Sequence, residues 1–125
     1  MNLLLDSHTL LWALHDPARL APAAREAIAD ARRVVYFSAA SAWELEIKAA
    51  KGKLTLPGDW LAAVEATGFL ELPVTASDAR HSAQLPWYHS DPFDRVLIAQ
   101  ALSRGLQLAT RDPMMAAYDV PLMTV

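Results

Sequence analysis

The chain predicts an α/β fold, a mostly parallel central sheet with helices layered on both faces. Three observations point there. Short apolar runs such as "NLLL", "VVYF" and "LQLA" alternate along the chain with longer amphipathic stretches, the pattern of strand–helix–strand units. The punctuation between them is that of helix caps rather than hairpin turns. At 125 residues, with 54% hydrophobic and 20% charged, the chain has material for one well-filled core and reads as a single domain over residues 1–125.

Taken in order, Asn2 to Leu5 reads as a buried strand, and "SHTLLWALH" continues it as a helix. Residues Pro22 to Arg32 form an alanine-rich helix, followed by a strand from Val34 to Phe37. "SAASAWELEIKAAKGK" opens on a serine and closes at Gly52, and a further helix runs from Asp59, its cap, to Thr67. "FLELPV" is a strand and "SDARHSAQL" a helix. In "DPFDRVLIAQALSRG" Asp91 is placed to cap, Pro92 takes the first helical position and Gly105 stops the helix. "LQLA", "PMMAAY" and "PLMTV" complete the pattern as strand, short helix and strand.

Several function classes are excluded or disfavoured. No segment approaches the roughly 18 uncharged apolar residues of a membrane span. "MNLLLD" lacks the basic start and cleavage site of a secretory signal, so a cytoplasmic location is expected. With no cysteine, thiolate chemistry and Cys-based zinc sites are out. The net charge of −3 argues weakly against nucleic acid. Local basic clusters (Lys48, Lys51, Lys53 and Arg32, Arg33) leave that partner open.

The informative residues are acidic. Asp6 directly follows the first strand and Asp112 follows "LQLATR", and sites in parallel sheets lie where carboxyl ends of strands enter helices. Each has a plainer reading as a helix cap, and Asp94, three residues after Asp91, also suits a capping box. Helical geometry, however, puts Asp94 on the side of Leu97, Ile98 and Ala101, aimed at the buried face, while Arg95 points elsewhere. A buried carboxylate must be protonated, paired or bound to a cation. Glu44 and Glu46 lie about 200° apart on their helix and cannot both face inward. Spacing alone does not choose between them. Two strand-end aspartates and inward acids from two helices would form a nest suited to Mg2+, with Mn2+ a substitute. The chemistry such a metal serves best is attack of water at phosphorus.

The segments "LLLDSHTLLWAL", "SAASAWELEIKAAKGKL", "LPWYHSDPFDRVLIAQA" and "LQLATRDPMMAAYDV", in this order and spacing, resemble PIN domains. More narrowly they resemble the VapC ribonuclease toxins of type II toxin–antitoxin pairs. The resemblance covers essentially the whole chain and implies a PIN-like three-layer α/β fold. It also implies metal-dependent cleavage of RNA, a VapB-type antitoxin partner and a homodimer. Its acidic positions fall on Asp6, Glu44, Asp94 and Asp112, and the phrase "SAWE" selects Glu44 over Glu46. Asp6, Asp94 and Asp112 are then expected to hold the metal, with Glu44 on metal water or the attacking water. Ser7 and Thr110 match hydroxyl positions beside the acids, and Asp91 a supporting cap. Hydrolysis by metal-activated water implies 5′-phosphate and 3′-hydroxyl ends.

The remaining expectations concern neighbours. His8, His15, His81 and His89 form no recognisable pair and read as surface or supporting residues. Arg95 and Arg111 border the acids, as phosphate contacts or in salt bridges. Trp43 is expected in the core, with Trp12, Trp60 and Trp87 candidates for an exposed docking surface. Competing readings are a PIN nuclease for RNA processing or DNA, and a non-catalytic interaction domain whose acids only cap helices.

Overall fold

The computed structural model describes every residue from Met1 to Val125. Five strands form one sheet, β1 (Leu3–Leu5), β2 (Val35–Ser38), β3 (Leu70–Leu72), β4 (Gln107–Thr110) and β5 (Leu122–Thr124), in the order β3-β2-β1-β4-β5. All four pairings are parallel. Six α-helices connect them: α1 (Ser7–His15), α2 (Pro22–Ala29), α3 (Ala39–Ala50), α4 (Trp60–Ala66), α5 (Ala76–Gln84) and α6 (Pro92–Arg104). "PMMAAY" winds as a 3₁₀ turn over Pro113–Ala117. No helix is long and apolar enough to cross a membrane.

Strand side chains alternate between faces, and the apolar runs therefore feed two cores. Leu3, Leu5, Val35, Phe37 and Ala109 pack with Leu10 of α1, Ala24 of α2, Leu45 of α3 and Val64 of α4. Leu4 and Leu108 face the other way, onto Leu97, Ile98 and Ala101 of α6 with Met115 and Tyr118. A sheet covered on both sides explains why its strands read as continuous apolar runs rather than alternating ones.

The caps act as anticipated. Asp6 accepts from the Thr9 N–H, Asp59 from Ala62 and Asp91 from Phe93 and Asp94. Gly105 ends α6 in the left-handed region, φ 64°, which glycine adopts without the penalty a Cβ imposes. The main length difference is α2, which stops at Ala29 rather than Arg32. There Asp30 turns the chain, accepting the Arg32 N–H at 2.9 Å.

In the strand order, β1 connects outward to β2 and β3, and the chain then returns to lay β4 on the opposite side of β1. This reversal opens a crevice at the carboxyl ends of β1 and β4. Asp6 stands one residue beyond β1, and Asp112 two residues beyond β4.

Candidate functional site

The crevice is built where strands and loops pass into helices. Asp6 is buried at the start of α1, with one carboxylate oxygen on the Thr9 N–H (2.9 Å) and the other receiving the Thr110 hydroxyl (2.6 Å). Capping and site membership are thus the same act for this residue. Thr110 in turn accepts the Asp112 N–H at 3.1 Å, locking the two strand ends together. Asp112 caps the 3₁₀ turn through the Met114 N–H at 2.9 Å.

Glu44 enters from α3 and is buried. It accepts the Ser7 hydroxyl at 2.5 Å and the Lys48 ammonium at 2.9 Å, one helical turn on. Glu46 points away and accepts the Trp60 indole N–H at 2.8 Å, so of the two glutamates it is Glu44 that faces the crevice. Ser7 and Thr110 lie beside the acids and hold them in place.

Asp94 sits in the first turn of α6, half-buried. It does not close a capping box, because the Asp91 N–H goes to His89 Nδ1 at 3.3 Å. Its carboxyl is pushed up from 3.8 to about 7. Burial is the largest cause, followed by the charge of Asp91; His89 works against them, and the carboxylates of Glu44 and Asp6 add to the rise. Asp94 therefore senses acids arriving from β1 and α3. The dispersed carboxylates of the sequence meet in one field.

His89 was not singled out by its sequence context, yet it lies at the centre. Buried in the loop between α5 and α6, its Nε2 is 3.0 Å from Asp112 Oδ2 and 2.9 Å from Asp94 Oδ2. One ligand atom each from His89, Asp94 and Asp112 falls within 4.8 Å of the others. The available signal was position: a histidine two residues before the cap of an acid-bearing helix shares that helix's mouth.

Several expected neighbours are placed differently. Arg95 neither faces phosphate nor forms a salt bridge. It is 2% exposed, because α6 is covered by the sheet on one side and α5 on the other. Its guanidinium donates to the carbonyls of Ser82, Leu85, Pro86 and His89 and to the Tyr118 hydroxyl, ordering the loop that carries His89. Arg111 donates to the main-chain oxygens of Val125 (2.8 Å) and Arg19 and lies 4.4 Å over the Trp12 ring. Trp43 is not in the core but 64% exposed, edge-on to Phe93. The inward arc of α3 is taken by Ala40, Ser41, Glu44 and Leu45. Trp60 is buried in the first core, Trp12 half-buried, and Trp87 exposed with Arg95 stacked on it at 3.6 Å.

Comparison with known proteins adds the following. The family model described as PIN domain matches residues 3–121. Ribonuclease VapC22 of Mycobacterium tuberculosis is 32% identical over 124 residues, covering 96% of this chain and 94% of that protein. Among solved structures, VapBC2 from Rickettsia felis bound to a promoter DNA fragment superposes with a TM-score of 0.72 at 13% identity, covering 98% of both chains. FitAcB from Neisseria gonorrhoeae gives 0.63 at 23% identity, over 98% of this chain and 96% of that one. A toxin–antitoxin complex from Klebsiella pneumoniae gives 0.67 at 19%, over 98% and 97%. At these identities the structural likenesses speak to the fold.

Proposed function

The chain belongs to the PIN domain family, and from that premise we propose that it is a metal-dependent endoribonuclease, the toxin of a toxin–antitoxin pair. The observation that carries the reading is Asp94: a carboxyl beside Asp112 and His89, pushed up to about 7 by burial, by the cap of its own helix and by acids from α3 and the end of β1. Such a field favours whatever adds positive charge to the crevice, a proton or a divalent cation. The donors are carboxylate oxygens, which suit Mg2+ or Mn2+. Asp6, Asp94 and Asp112 would hold the ion, with Glu44 on its water shell. Bound there, the ion would neutralise phosphate oxygens and lower the pKa of the attacking water.

The chain's own residues supply the framework. The Thr110 and Ser7 hydroxyls fix the rotamers of Asp6 and Glu44, and Lys48 limits the charge around Glu44. No second histidine is paired with His89 to take a proton from a 2′-hydroxyl; its Nε2 is committed to two carboxylates. Products with 5′-phosphate and 3′-hydroxyl ends follow.

The partners extend this reading. The solved relatives include antitoxin complexes, and a VapB-type antitoxin is the expected inhibitor here. Trp43, Val74 and Phe93 border a groove of about 350 Å³ near the acids, an apolar face for the antitoxin or for the second subunit of a homodimer. The protein acts as one domain over residues 1–125, on RNA in the cytoplasm.

The test is Asp94→Asn. It is expected to reduce Mg2+-dependent RNA cleavage by at least about a hundredfold, the scale of losing several kcal/mol of charge stabilisation, with an unchanged circular dichroism spectrum. Cleavage at the parental rate by this variant, or by the parent in excess chelator, would sink the proposal. Sequencing the RNA ends made on induced expression reports the target and end chemistry together.

A further inference from the structure

We infer that His89 is a positioning residue that holds Asp112 for the cation by donating its Nε2–H to it, with Asp94 drawn against the same nitrogen, rather than itself ligating the ion. The inference deepens the metal-nuclease reading and rests on it.

Distance alone would make His89 a third ligand, since its Nε2 clusters with oxygens of Asp94 and Asp112. The other side of the ring decides otherwise. Nδ1 faces the backbone N–H of Asp91 at 3.3 Å and must accept from it. A neutral imidazole that accepts at Nδ1 carries its proton on Nε2. A nitrogen bearing that proton has no lone pair to offer a metal. It can only donate, and the hydrogen bond runs to Asp112 Oδ2 at 3.0 Å with Asp94 Oδ2 at 2.9 Å from the same nitrogen.

The backbone that carries the ring is held on both sides as well. The His89 N–H donates to the Tyr118 hydroxyl at 3.0 Å, and its carbonyl accepts from Arg95 at 3.0 Å. Asp91, the cap of α6, supplies the N–H that sets the tautomer. One loop thereby brings together two carboxylates, from α6 and from beyond β4, that would otherwise repel. Outer partners that hydrogen-bond metal-binding carboxylates are commonly worth about ten- to a hundredfold in metal affinity.

Two measurements on the full chain test this. Mn2+ binding is followed by electron paramagnetic resonance in the parent, His89→Leu and His89→Gln. Leucine removes the donor and is expected to weaken Mn2+ binding by about tenfold or more. Glutamine keeps an N–H donor and a carbonyl acceptor and should remain within about threefold of the parent. Nitrogen-15 NMR of the parent imidazole should show Nε2 protonated and Nδ1 unprotonated, both without metal and with Mg2+. Loss of the Nε2 proton on Mg2+ loading would make His89 a ligand and overturn the inference. So would parental affinity in His89→Leu, or a loss in His89→Gln as large as in His89→Leu. Failure of the parent to bind Mn2+ at all would instead remove the metal reading, while the metal-free tautomer would still report on the ring.

Discussion

The two ends of α6 handle charge in opposite ways. At its C-terminal end Arg104 meets Asp78 of α5 through two contacts at 3.0 Å, and Gln100 and the Thr75 N–H add to the same carboxylate. At its N-terminal end Asp94 and Arg95 are sequence neighbours, yet they never pair: the arginine donates only to neutral oxygens and the aspartate faces other acids. The outcome is opposite carboxyl behaviour on one helix. Asp78 lies low, at about 2, where its hydrogen bonds and the Arg104 charge outweigh burial. Asp94 is raised to about 7. Asp78 is given an arginine by the fold; Asp94 is denied one, although Arg95 stands a single residue away.

The sharpest way to break this contrast is Arg95→Met. It keeps the length of the stem but strips donors from four carbonyls and the Tyr118 hydroxyl. Leaving several of these groups unsatisfied is expected to cost about 3 kcal/mol or more, read as a lower urea midpoint. A loss below about 1 kcal/mol would show that this arginine is not needed to hold the loop, and the separation of charges would lose its structural reason.

The next effect is smaller and of the opposite sign. In metal-free buffer the folded protein keeps the Asp94 proton up to about pH 7, whereas the unfolded chain releases it near 3.8. Between those values folding takes up a proton, so raising the pH favours unfolding, and the penalty is complete above about 7. Asp94→Asn removes it. The variant should be steadier than the parent at pH 8 with chelator by roughly 1–3 kcal/mol, and Mg2+ should narrow the gap by stabilising only the parent. A melting temperature below the parental one in chelator would contradict the charge repulsion on which the site depends.

Much of this was legible in the chain. Apolar runs, caps and Gly105 located the strands and helix ends, because those features act within a few residues of where they stand. Three of the acids were legible for the same reason: Asp6 and Asp112 follow strands, and Asp94 lies on the side of Leu97 and Ile98; spacing left Glu44 and Glu46 open, and only the resemblance carried by "SAWE" selected Glu44. What stayed hidden depends on tertiary reach. His89 sits in a loop whose path is set by Arg95 and Tyr118, and neither contact has a local signature. Arg95 read as a phosphate contact or a salt-bridge partner because a helix buried on both sides cannot be told from one buried on a single side by spacing. Trp43 was misplaced by composition, since a tryptophan beside an inward glutamate is rotated about 100° from it and here emerges at the surface.

The other end of α6 supplies the control. Asp78 has its carboxyl lowered from 3.8 to about 2, so its contribution is present above about pH 4 and is lost as the pH falls toward 2. Asp78→Asn should cost roughly 1–2 kcal/mol at neutral pH, and that difference should shrink on acidification because the parent loses its ion there too. Asparagine also turns an N–H group toward Arg104 or Gln100, where the native oxygens accept. The loss should nevertheless stay in the urea midpoint. RNA cleavage and Mn2+ affinity, measured well below the unfolding range, should match the parent, because no group of this network touches the crevice acids. If cleavage fell in step with stability, the two ends of α6 would be coupled, and the crevice would depend on the ion pair at the far end rather than on the loop that carries His89.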